Sequence, residues 1–188
     1  MLATAEKLLS IEEYLMLERQ ASFKSEYFDG EIYAMAGASR EHNLIVANVI
    51  RMLGNQLLES PCNVYPSDMR IKITEMGKYT YPDVTIACDK EEFDDDYKDT
   101  LLNPLLIIEV LSDSTESYDR GKKFKHYQRI KSFSEYILIE QTPYRVEQYV
   151  RQDNKTWLYS EFHEAADIVQ LQVIKCTLAL KDIYAKIL

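Results

Sequence analysis

Residues 81–127 read YPDVTIACDKEEFDDDYKDTLLNPLLIIEVLSDSTESYDRGKKFKHY, in which two apolar runs each carry a single carboxylate. In the second run, Leu105-Leu106-Ile107-Ile108-Glu109-Val110-Leu111, aliphatic residues fill both alternating sets of positions. That is the pattern of a strand covered on both faces, so Glu109 has no evident route to water. An ionised carboxylate buried without a cation or strong donors costs several kcal/mol. Asp83, between Pro82 and the run Val84-Thr85-Ile86-Ala87, raises the same question more mildly. Two readings follow. The carboxylates converge from neighbouring central strands on a hard divalent cation, which prefers oxygen ligands, or each is held by a lysine or arginine in a core ion pair with no chemistry.

A length of 188 residues suits one domain with a core of its own. The first nine residues carry no basic leader, and no run reaches membrane-spanning length. Cys62, Cys88 and Cys176 are far apart and lack metal-ligand spacing, so they read as reduced packing residues, which suits a cytoplasmic setting. The net charge of −9 opposes phosphate binding. The charge is segregated, however. Residues 89–99 hold seven acids and two lysines and read as a solvated excursion, whereas residues 120–131 hold Arg120, Lys122, Lys123, Lys125, Arg129 and Lys131.

Elsewhere the chain alternates strands and helices. Ser10-Ile11-Glu12-Glu13 forms a capping box for a helix to about residue 20. Asp29-Gly30 between two strand-like runs signals a hairpin. Ser39 caps a helix to about residue 59 with His42 in its first turn. His42 suits a phosphate contact or a water-positioning group, or simply a partly exposed surface position. Residues 62–65 and 69–74 form strands in a meander leading into the Asp83 strand, and residues 112–115 offer caps for a helix over about 116–131. Phe124, Tyr127 and Ile130 give that helix a narrow buried side. A strand at 135–140, a hairpin over 144–162 containing Trp157, strands over 168–174 and a short amphipathic helix complete the chain. Among the motifs there is no phosphate-binding glycine loop, Cys/His cluster or Ser/His/Asp spacing.

Pro82-Asp83 on one strand, Glu109-Val110-Leu111-Ser112 ending the next, and then Asp119-Arg120-x-x-Lys123-x-x-x-Tyr127 resemble the Uma2 family of restriction-endonuclease-like proteins, a branch of the PD-(D/E)XK nuclease superfamily. The likeness extends to residues 11–15, to Asp29-Gly30-Glu31 and to Ser39-x-x-His42. It implies an α/β architecture with a mixed central sheet flanked by helices, spanning residues 1–188. It also implies Asp83 and Glu109 as Mg²⁺ ligands, with Mn²⁺ as a substitute, and hydrolysis of DNA phosphodiester bonds. The superfamily lysine two residues after the glutamate is replaced by Leu111, and the resemblance points to Lys123 as the ammonium instead. For the acidic residue usually found on the first helix the candidates are Glu41, beside His42, and Glu31.

DNA is expected on the face bearing Arg120, Lys122, Lys125 and Arg129, with steep salt dependence. The alternatives are a catalytically silent binding module, favoured by the net acidity, and an assembly protein in which residues 144–162 pair with a second copy of the chain. A membrane partner is not expected.

Overall fold

The computed structural model describes residues 8–113, 115–142 and 144–187; the N-terminal residues read as leader-free, except 8 and 9, and the candidate cap residue Ser114 lie outside them. Helix α1 (Ile11–Glu18) starts at the Ser10 capping box, the Ser10 hydroxyl accepting from the Glu13 N–H and the Glu13 carboxylate accepting from the Ser10 N–H. Strands β1 (Ser25–Phe28) and β2 (Glu31–Ala34) form the expected hairpin. Its turn residues Asp29 and Gly30 both have positive φ, as a tight two-residue hairpin requires. Helix α2 (Arg40–Gln56) starts at Ser39 and buries Ile45, Val49 and Leu53.

After α2 come β3 (Cys62–Pro66), β4 (Arg70–Ile73), β5 (Lys78–Thr80), β6 (Val84–Cys88), β7 (Thr100–Leu101) and β8 (Leu106–Val110). Helix α3 (Glu116–Tyr118) runs through a π-helical turn (Asp119–Lys123) into α4 (Phe124–Tyr127), so the helix anticipated to about residue 131 ends sooner. The chain closes with β9 (Glu135–Ile139), β10 (Val146–Arg151), β11 (Trp157–Phe162), β12 (Ile168–Leu171), β13 (Cys176–Ala179) and α5 (Leu180–Ile183). None of the described helices is long and apolar enough to cross a membrane.

The central six-stranded sheet has the order β11-β10-β9-β8-β6-β3. Its β8 and β9 pair in parallel and its other neighbours antiparallel. A second sheet, β2-β1-β5-β4-β7, carries the hairpin. This corrects the meander expected into the Asp83 strand. The 62–66 strand pairs with β6, while the 70–73 strand leaves to pair with β5 and β7. Short alternating strands carry no label for the sheet they join, and here both partners are set by packing.

Strand β8 is buried along its whole length. Leu106, Ile108 and Val110 face a core formed with α2, α5 and the 168–184 segment. Ile107 and Leu111 face a second core with Phe124, Tyr127, Phe133, Ile71 and Leu101, and the period of two directs Glu109 to that side. Trp157 packs its ring against this core, 5.1 Å from Phe124 and 5.4 Å from Phe133.

Two further readings need correction. Register sets Cys62 opposite Cys88, and the two form a disulfide; only Cys176 is a free buried thiol. With Cys62 and Cys88 joined, cysteine usage does not point to a reducing compartment. Nor is the acidic segment 89–99 a mere solvated excursion. Asp94 accepts from Lys72 at 2.7 Å and from the Tyr79 hydroxyl at 2.8 Å, and Glu91 accepts from Asn63 and Tyr65. Asp95 and Asp99 clasp Arg19 of the turn after α1. A run of acids looks solvated in sequence because its cations come from residues 19–72.

The Arg19 guanidinium holds Asp99 down at about 2, against its ordinary 3.8. A lowered folded pKa stabilises the protein above the unfolded value and loses that contribution as pH falls through about 2. Replacement of Arg19 by Leu should therefore cost about 1 kcal/mol or less at pH 7, as befits a half-exposed pair. The gap between wild type and Arg19→Leu in urea melts should close below pH 3; a gap independent of pH would show that Arg19 acts only by packing.

Candidate active site

The antiparallel register of β6 and β8, with Val84 opposite Ile108, carries Asp83 to the position opposite Glu109. By alternation both side chains leave the same sheet face. Asp83 Oδ2 accepts from the Val110 N–H at 2.8 Å and lies 3.1 Å from His42 Nε2. His42 reaches it from the first turn of α2, where the Ser39 hydroxyl accepts from the His42 N–H.

Glu109 is 3% exposed. Its Oε1 accepts from the Tyr127 hydroxyl at 2.7 Å and lies 2.8 Å from Lys123 Nζ. Lys123 Nζ also lies 3.4 Å from Asp119 Oδ1 and 3.9 Å from Glu26 Oε1. Asp119, Lys123 and Tyr127 are spaced by four residues, which aligns them on one helix stripe. Glu26 in turn lies 3.7 Å from the buried Lys78 and accepts from the Thr80 hydroxyl. Lys78 touches the Tyr118 hydroxyl and lies 3.4 Å from His126 Nδ1.

Three carboxylates (Glu26, Glu109 and Asp119) thus gather around Lys123, Glu26 also reaches Lys78, and Asp83 stands opposite Glu109 across the β6–β8 pairing. Carboxylates outnumber ammonium groups in the cluster four to two, a set in which a cation finds more oxygen ligands than competing charges. Asp83 Oδ1 and Glu109 Oε2 have no hydrogen-bond partner among the described residues. Both residues line a cleft of about 1490 Å³ that also includes His42, Asp119 and Lys123. Among the described residues no three His, Cys, Asp or Glu side chains already form a metal-binding group. Two protein carboxylates with the remaining positions left to water and substrate oxygens is the arrangement Mg²⁺ accepts.

Electrostatics follow from burial. Burial pushes the Glu109 carboxyl up to about 8; the charges of Asp119 and Asp83 push the same way, and Lys123 opposes them. Burial also raises Asp119. For Lys123 burial acts to lower the ammonium, yet Glu109, Glu26 and Asp119 together hold it well above its ordinary value. Lys78 is lowered, by burial first and by the Lys123 charge.

The other sequence candidates separate. Glu41 lines the cleft and pairs with Arg40, whereas Glu31 is exposed on β2, bonded to Tyr33 and outside the cleft. Arg120 does not belong to an open basic face, because it is tied to Glu116, Glu140 and Glu147. Lys122, Lys125 and Arg129 are exposed on the side of the helix turned away from the sheet, and none lines the cleft. Sequence reasoning assigned no role to Glu26, Lys78 or Asp119. The four-residue spacing of Asp119 from Lys123 was a readable signal for one of them; Glu26 and Lys78 arrive only through the second sheet.

A family model described as "Putative restriction endonuclease", Uma2, matches residues 11–181. Uncharacterized protein sll1609 of Synechocystis sp. is 40% identical over 161 residues, covering 86% of this chain and 91% of that protein. Uncharacterized protein slr1290 of the same organism is 38% identical over 178 residues, covering 94% and 91%. Among solved structures, the crystal structure of a "putative nuclease belonging to DUF820" from Anabaena variabilis superposes with a TM-score of 0.75. That match covers 94% of this chain and 97% of the other at 19% identity, a likeness of fold.

The buried pair makes a testable statement about stability in metal-free buffer. A raised folded pKa means that Glu109 stabilises the fold below its ordinary 4.5 and withdraws that contribution as pH rises through about 8. Replacing Lys123 by Met removes the compensating ammonium, so its cost should grow from pH 5 to pH 8.5, reaching about 3 kcal/mol. Adding Glu109→Gln should recover most of the loss at pH 8.5. Urea melts of the two variants at both pH values measure this, and an equal cost at both would contradict the coupling.

Proposed function

Because this chain belongs to the Uma2 family, we propose that it is a divalent-metal-dependent endonuclease hydrolysing phosphodiester bonds of DNA. The observation that carries this reading is the buried cluster of Asp83, Glu109 and Lys123, two carboxylates and one ammonium, at the wall of an open cleft. Asp83 and Glu109 would hold Mg²⁺, or Mn²⁺ in its place, and the fit rests on their unbonded oxygens and on their position opposite one another on neighbouring strands. When bound, such a cation supplies Lewis acidity at the scissile phosphate.

The remaining roles belong to the chain itself. The Val110 N–H and His42 fix the Asp83 carboxylate, and the Tyr127 hydroxyl fixes that of Glu109. Lys123 brings the ammonium that Leu111 cannot, close to where negative charge develops on the phosphate. Asp119 and Glu26 keep that ammonium protonated and within reach of Glu109.

The test is nicking of supercoiled plasmid with Mg²⁺ or Mn²⁺, alongside calorimetric titration of Mn²⁺ into the protein. Asp83→Asn and Glu109→Gln should abolish both cleavage and the heat of Mn²⁺ binding. Lys123→Met should slow cleavage by about 10²-fold or more, assayed near pH 6 where the variant stays folded, while Lys122→Met should cut like wild type. Absence of cleavage by the wild type with every divalent metal would replace this reading by the silent module that the acidic composition also suits.

A further inference from the structure

A nuclease cleft needs a means of holding its substrate, and this one has almost no positive charge to do it with. Lys24 and Lys123 are the only lysines among its described lining residues, and no arginine is present there. The Lys24 ammonium bonds Ser67 at 2.9 and 3.0 Å and pairs with Asp68 at 3.0 Å, and Lys123 is buried among carboxylates. Glu41, Asp113, Glu116 and Glu140 add further acids to the wall. Duplex DNA, with two strands of phosphates, presents the denser charge and relies most on lysine and arginine neutralisation.

What the wall does offer is aromatic surface. Phe23 is 60% exposed and Tyr33 49% exposed, and both line the cleft. The β1–β2 register sets Tyr33 directly opposite Glu26, so the two share a sheet face. Glu26 Oε1 is 3.9 Å from Lys123 Nζ, which brings the Tyr33 ring beside the acidic cluster. The Tyr33 hydroxyl donates to Glu31 on its own strand, tying down one end of the ring. Exposed rings stack on bases whose faces are open, a contact indifferent to sequence and independent of phosphate charge. In a duplex those faces are already covered.

We infer that the cleft takes unpaired nucleotides of DNA, seated by stacking on Phe23 and Tyr33, in preference to base-paired duplex. The inference rests on the nuclease reading of the same cleft and narrows its substrate class. It also replaces the steep salt dependence expected from the basic helix, since Lys122, Lys125 and Arg129 lie outside the cleft.

The experiment measures binding of a fluorescein-labelled 12-nucleotide single strand, and of the same strand in duplex, by anisotropy in EDTA, with Mn²⁺-supported cleavage of both run in parallel. The single strand should bind about tenfold tighter or better, with a shallow dependence on salt. Phe23→Ala and Tyr33→Ala should each weaken single-strand binding about tenfold, the loss of one stacked base. Tyr33→Phe, which keeps the ring, should restore it. Leu158→Ala, an exposed apolar truncation on β11 outside the cleft, should change nothing. Equal affinity for duplex, unchanged affinity in both alanine variants, or no binding of either DNA overturns the inference. So does a dimer that both alanine variants dissociate in sedimentation without altering DNA affinity, which would assign the rings to a second copy of the chain. Ring-dependent single-strand binding without cleavage by any divalent metal would instead defeat the nuclease reading alone.

Discussion

The structure is arranged around one electrostatic constraint, a carboxylate on a strand with both faces covered. Glu109 sits in β8 with every residue of that strand buried. A charge in that position needs an ammonium, hydrogen-bond donors or a proton. The fold supplies the first two from one helical stripe, with Lys123 at 2.8 Å and the Tyr127 hydroxyl at 2.7 Å. The π-helical turn over Asp119–Lys123 ends at the lysine itself, and such turns re-aim side chains where a regular helix would not. Lys123 then needs counter-charge of its own, which Asp119 and Glu26 provide, and Glu26 recruits Lys78. The second sheet is thereby bound to the first through charge as well as through apolar packing.

Elsewhere the acidic balance of the chain is resolved by pairing, and that changes which charges remain for a partner. The acids of residues 91–99 tie the end of α1 and both sheets together, through Arg19, through Lys72 and Tyr79 of the second sheet and through Tyr65 of the central one. Arg120 and Arg145 join Glu140 and Glu147 in a common network. These partly buried pairs remove cations from the pool that phosphate contacts would need. A net charge read from composition therefore understates how few free cations face the cleft.

The family relationship and the geometry bear on different levels of the functional question. Matches over most of the chain establish the family and the mixed α/β fold. Folds are reused for unrelated chemistry, so the activity has to be argued from the cluster itself: carboxylates with unbonded oxygens, a buried ammonium held among them, and more acids than ammonium groups.

Much of the site was legible in the sequence. The uninterrupted aliphatic run marked Glu109 as buried, Asp-Gly marked the hairpin, Ser10 and Ser39 marked two helix starts, and the family pattern singled out Lys123 in place of Leu111. These are local signals, set by alternation, capping and turn stereochemistry over a few residues. Tertiary structure alone decided which strands share a sheet, that Cys62 meets Cys88, that Glu26 and Lys78 reach the cluster, and that Arg120 is tied to acids while Lys122, Lys125 and Arg129 face away from the cleft. Those outcomes depend on pairing register and on the partners of long charged side chains. Residues far apart in the chain set both, through packing that no local pattern encodes.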